Sequence, residues 1–427
     1  MSALDATVAP AMPASTILPL RKAAGIGLGN ALEFYDFLTY SFFSIQIGHC
    51  FFPAERFGDG LLPSLATFGI GFVTRPLGGL VIGRYGDRAG RKAAMLLSFT
   101  LMGLAITGLA LTPSYDQIGP AAPILLVCFR LLQGFALGGE VGPSTAYLIE
   151  AAPPHRRGLY VALQYATQDV AVLVAGLIGF ALSSLLEPAA LDAWGWRAAF
   201  LIGVAVVPVG LSVRRNLPET LQAADLAAPV AVPWRIVWLG LAALMSGTIC
   251  AYVVDYMTTY AQNSLDIPTN LAFGATIATG LCSMIFEPIG GMLSDRFGRR
   301  RVVLISGVLL LLIVMPAFIV VTRLRSVTAL YGATALISIV QSFYVAPVLV
   351  ALTEGLPKAI RSGSLAIIYA LSIAIFGGSA QFVIQALIEW TQNPLVPGFY
   401  MCGALVIGLA AMAFMKETAP TVLERQR

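Results

Sequence analysis

Twelve long apolar runs dominate this chain and leave it few ways to fold. They fall at about 23–48, 61–83, 93–112, 122–148, 159–186, 197–213, 236–261, 270–293, 302–321, 327–352, 363–388 and 398–415, here called spans 1–12. A helix crosses a bilayer with about 20 apolar residues, and each run is close to that length or longer. Charged, Pro or Gly residues bound every run. Only 11% of the 427 residues are charged, against about 25% in a soluble domain. That scarcity excludes disorder, a coiled coil, a secreted disulfide scaffold and an ordinary cytosolic enzyme. A β-barrel needs short alternating segments, and the sequence has none. The expected class is an all-α membrane protein with twelve transmembrane helices.

Lys and Arg placement orients the spans. Twenty of the 26 bases lie in the connectors that share a side with the N-terminus, and four (Arg56, Arg197, Arg323, Arg325) lie opposite. Arg75 and Arg130 remain inside spans. Both termini are therefore expected in the cytoplasm and the chain in the cell (inner) membrane. Residues 1–21 are rich in Ala and Pro and lack the basic start of a signal peptide, so they are predicted as a cytoplasmic tail.

The chain repeats itself. Gly83, Asp87, Arg88, Gly90, Arg91 and Lys92 after span 2 recur at an offset of 208 as Gly291, Asp295, Arg296, Gly298, Arg299 and Arg300 after span 8. Glu150, Arg157 and Tyr165 recur at an offset of 204 as Glu354, Arg361 and Tyr369. Two echoes predict an N-terminal six-helix half (22–213), a polar cytoplasmic linker (214–235), a C-terminal six-helix half (236–415) and a second tail (416–427). An Asp in such a loop can cap a helix N-terminus or pair with Arg. Asp87, Arg88, Arg91, Asp295, Arg296, Arg299, Glu150, Arg157, Glu354 and Arg361 are accordingly candidates for a cytoplasmic gate.

The doubled Gly-x-x-x-Asp-Arg-x-Gly-Arg loop resembles the signature of the major facilitator superfamily. Gly29-Asn30 through Phe37, Arg75-Pro76 through Gly79, and Arg130 through Glu140 resemble its metabolite:proton symporters. Ala351 through Glu354 and Ala374 through Gly378 are most similar to proton-coupled citrate transporters. The resemblance covers about residues 22–415. It implies a substrate held near the midplane between two halves that rock against each other. Gln168-Asp169 in span 5 and the extra acid Asp255 in span 7 depart from the citrate carriers.

A charge at mid-bilayer costs about 2.5–3.5 kcal/mol, so charges inside spans are the prime functional candidates. Glu33 and Asp36 lie three residues apart on one helical face of span 1. Their mutual repulsion and burial favour reversible protonation, which makes them candidates for proton coupling. Arg130, with Gln133 on the same face, can grip a carboxylate or pair with Glu33 or Asp36. Arg75 and Glu140 are expected to form a gate pair, Glu287 to support the second loop latch, and Asp255 to reach water near the outer end of span 7. Substrate-lining candidates are Tyr35, Gln164, Gln168, Asp169, Tyr256, Gln341, Tyr344 and Tyr369, with Tyr252, Tyr260 and Gln381 as lesser ones.

No catalytic constellation is visible. The five cysteines are scattered, and His49 and His155 stand far apart, so no metal or cofactor is expected. The basic residues follow topology, so nucleic acid is not expected as a partner. The expectation is a monomeric symporter of protons and a small organic anion, a di- or tricarboxylate such as citrate. The alternatives are a proline or betaine symporter, a membrane nutrient sensor without transport, and a membrane enzyme.

Overall fold

The computed structural model describes residues 31, 34–58, 60–89, 91–138, 141–204 and 233–425. Glu33, Glu140, most of the linker and the first tail lie outside the described residues, as do the side chains of Asp87, Arg88 and Arg91.

Every regular element among the described residues is helical. Eight helices are long and apolar enough to cross a membrane: Leu61–Ile82, Pro154–Leu185, Trp234–Asp255, Thr269–Phe297, Arg299–Leu324, Val327–Gly355, Gly363–Thr391 and Val396–Phe414. The shorter apolar helices Leu96–Leu111 and Ala121–Leu137 fill spans 3 and 4. Helical residues 34–42 with Ser44–Phe51, and 196–204, occupy spans 1 and 6. The described residues of all twelve runs are thus helical but for short turns, in two six-helix halves.

Local sequence explains where the helices begin, bend and stop. Ser326 caps span 10 by accepting a hydrogen bond from the Ala329 amide at 3.2 Å. Gly298, at φ 102°, turns the chain between spans 8 and 9 in a conformation that suits glycine. Span 11 carries a π-helical turn at Ile373–Gly377, the kind of irregularity that recurs at functional sites.

Two helix seams position the site. Spans 2 and 4 meet backbone to backbone: a Cβ on Gly134 would strike the Gly71 carbonyl, and one on Gly138 the Arg75 carbonyl. Small residues allow such close approach between membrane helices. Spans 5 and 8 run antiparallel and join the halves. Gly158 meets Gly291, Leu173 meets Gly280, Gly176 meets Ile277 and Gly179 meets Phe273.

Candidate functional site

The seam between spans 2 and 4 brings two arginines to one aromatic ring. The Arg130 guanidinium carbon lies 5.2 Å from the Phe37 ring centre, and that of Arg75 lies 4.8 Å from it. Arg130 also faces Tyr40 at 4.3 Å and Phe68 at 5.3 Å. Arg75 faces Phe72 at 4.4 Å. These cation–π contacts hold both charges in an apolar setting. Arg130 is fully buried; it donates to Gln133 Oε1 and, at 3.2 Å, to the Phe68 carbonyl. Asp36 is buried beside it and acts on it electrostatically.

Several polar atoms of this cluster have no partner. They are both Asp36 carboxylate oxygens, Arg130 Nε and Gln133 Nε2. An unsatisfied buried polar group costs about 1–3 kcal/mol, so the cluster concentrates polar atoms that the protein's own groups leave unsatisfied. The second half closes the cluster with Tyr252, whose ring lies 5.8 Å from Phe72 and 6.2 Å from Phe68. Arg75 acts electrostatically on Tyr252 and on Tyr369. Arg75, assigned from sequence to a gate, therefore stands in the central cluster.

A second polar group stands at the seam of spans 5 and 8, where Asp169 of span 5 meets Glu287 of span 8 and Tyr165 stands against Tyr369; Gln164 and Gln168 of span 5 are buried. Gln164 Oε1 accepts from Thr145 at 3.0 Å. Glu287 contacts Asp169 through its carboxyl group instead of supporting the loop latch. The Oε1 atom of Gln341 is buried without a partner.

Three lining candidates have local partners. Tyr35 donates to the Ala199 carbonyl at 2.9 Å, Tyr344 to Ser246 at 3.0 Å, and Tyr256 to Gln385. Each bond stays within one half and fixes packing.

The basic face carries the gate candidates. Asp295 accepts from the Gly158 amide at 2.8 Å and the Leu159 amide at 2.9 Å, capping the helix of span 5 across the halves. Arg299 pairs with Asp295 at 2.7 Å and with Glu354 at 3.3 Å. Arg157 reaches Glu354 at 3.7 Å, and Arg361 reaches Glu150 at 3.2 Å. Arg296 is exposed and stacks over Phe297. The opposite face has its own cross-half bonds: Ser41 with Gln381 at 2.9 Å, and Ser44 with Thr259 at 3.2 Å.

The sequence reading missed the aromatic walls Tyr40, Phe68 and Phe72. Their signal was the three- and four-residue spacing of aromatics beside a buried charge. It also missed Glu417, which accepts from the Arg299 amide at 2.8 Å and the Arg300 amide at 3.1 Å. A lone acid in a tail carries no such signal.

Known proteins share this architecture. Residues 26–286 match the model of the Major Facilitator Superfamily, and residues 231–427 match that of Sugar (and other) transporters. The citrate-proton symporter of Klebsiella pneumoniae is 34% identical, over 97% of this chain and 98% of its own length. The alpha-ketoglutarate permease of Escherichia coli is 35% identical, over 85% of this chain and 86% of its own. A partially occluded inward open structure of the E. coli xylose transporter XylE superposes with a TM-score of 0.76 at 17% identity, covering 93% of this chain and 98% of that one. The chain is a member of the major facilitator superfamily, in the branch that holds the citrate-proton symporters.

Proposed function

We propose that this protein imports a small organic anion together with protons by alternating access, and that the anion is a di- or tricarboxylate such as citrate. The observation that carries this reading is the pair of guanidinium groups, Arg75 and Arg130, that share the Phe37 ring beside the unpartnered Asp36. Two cations that share one ring suit a ligand with more than one carboxylate, because each guanidinium can grip one group through parallel hydrogen bonds. They oppose an ammonium group, which disfavours proline or betaine. The carboxylate and 2-oxoacid relatives point the same way.

The coupling follows from charge. An ionised Asp36 competes with the substrate for Arg130. Once Asp36, or Glu33 on the same face, takes a proton, Arg130 is free to bind a carboxylate, so proton and substrate each tighten the binding of the other. Protons are also needed because an inside-negative membrane opposes an incoming anion by about 2.3 kcal/mol per charge per 100 mV. In this reading the basic face is cytoplasmic, both termini lie inside, and the protein works in the inner membrane as a monomer without a cofactor.

The test is uptake of labelled citrate into proteoliposomes. Acidifying the outside should raise the rate, and excess betaine should leave it unchanged. Uptake indifferent to an imposed pH gradient would refute the coupling. Asp36→Asn is expected to retain citrate exchange while its response to the gradient weakens.

A further inference from the structure

The seam between the halves holds an acid pair that the central cluster does not use. Because spans 5 and 8 run antiparallel in the register fixed by Gly158 with Gly291 and Leu173 with Gly280, position 287 lies within one helical turn of position 169. The carboxyl groups of Asp169 and Glu287 are in hydrogen-bonding contact there. Glu287 is more than nine-tenths buried, and its Oε2 has no partner, nor has Asp169 Oδ2.

Two ionised carboxylates have no donor to place between them, so their contact needs a proton. Among the described residues no cation acts directly on the pair; the nearest, Arg75, acts on Tyr369. Tyr165 of span 5 and Tyr369 of span 11 stand beside the pair, and the remaining charge that acts on it is the acid Asp255 of span 7. Span 10 packs on span 8 at Gly290 through Ser342 and Phe343, and residues 327–353 contain no acid or base. Pro288 follows Glu287 inside the helix, so the carbonyl of residue 284 loses its usual amide partner and the turn at Glu287 is loosened.

We propose that Asp169 and Glu287 jointly hold one transported proton in the seam between the halves, as a second coupling site beside Asp36. With the proton shared, the two helices stay in contact. When it leaves, two like charges face each other across the seam and drive it open, so loss of the proton is tied to parting of the halves. The site deepens the symport reading, on which it rests for the word transported.

The experiment uses the full chain in proteoliposomes, with citrate as the probe. The proton-to-citrate ratio, read from the reversal potential, should fall by one in Glu287→Gln and by one in Asp169→Asn, with no further fall in the double variant. Infrared spectra across a pH change provide a readout that needs no substrate. In an Asp36→Asn background, which removes the Asp36 band, the spectrum should show a protonated carboxyl band that either substitution abolishes and that Glu287→Asp keeps at a shifted position. A wild-type ratio in either single variant, or a band lost in one of them alone, overturns the proposal. If wild type moves no citrate with protons, the symport reading fails, and the infrared band still decides the pair.

Discussion

Arg361 of the second half lies 3.2 Å from Glu150 of the first, and the same two positions of the repeat pair in the other direction, Arg157 of the first half with Glu354 of the second at 3.7 Å. The sequence echo at an offset of 204 is therefore a reciprocal clasp: each half contributes one acid and one base, and each pair crosses the interface. A rocking carrier must break such contacts in one state and remake them in the other.

The two pairs differ in environment. Glu354 is 4% exposed and also binds Arg299 and Thr418, whereas Glu150 is 36% exposed. Removing one partner of a buried pair costs about 3–5 kcal/mol, and an exposed pair contributes less than about 1 kcal/mol. Glu354→Gln should therefore lower the thermal midpoint by several degrees, and Glu150→Gln should barely move it. Arg361→Glu should slow uptake, and adding Glu150→Arg should restore most of the rate; a double variant as slow as the single would break the clasp argument.

Arg130→Lys keeps the charge and loses the planar fork. A hydrogen bond to a charged group contributes about 1.5–3 kcal/mol, and each 1.4 kcal/mol is about tenfold. The KM for citrate should rise about 10- to 100-fold in counterflow, with the fold intact by circular dichroism.

Gly378 touches span 2 across the halves. A Cβ there would come within 2.9 Å of the Phe72 ring and 3.0 Å of the Gly69 carbonyl. Gly378→Ala should wedge the opposite face open, so that a Ser41→Cys probe reacts several-fold faster with an impermeant thiol reagent. Unchanged labelling would show that the wedge is absorbed elsewhere.

Glu417 caps the first turn of span 9 from the second tail. Losing such a cap costs about 1 kcal/mol. Glu417→Ala should lower the thermal midpoint slightly and leave the citrate KM unchanged, because the cap is remote from the arginine pair.

Part of this was legible in one dimension. Apolar runs of about 20 residues have one stable form in a bilayer, so all twelve helices could be read from hydropathy. Asp36 and Arg130 stood out because a charge in an apolar run is costly wherever its helix packs. The tyrosines behaved differently. Tyr35, Tyr256 and Tyr344 look like cavity residues in a list of polar positions, but each hydroxyl bonds to a neighbour within its own half. A hydroxyl can be satisfied by any carbonyl or side chain nearby, so its type says little about the direction it faces.

The sequence by itself determined the spans, the basic face and the repeat, because hydropathy, charge and spacing are carried by neighbouring residues. Only the tertiary structure decided that Arg75 shares a ring with Arg130, and that Glu287 meets Asp169. Those outcomes depend on how far each helix turns about its own axis and on which glycine seam lets it approach a partner, and both are settled by packing between segments far apart in the chain.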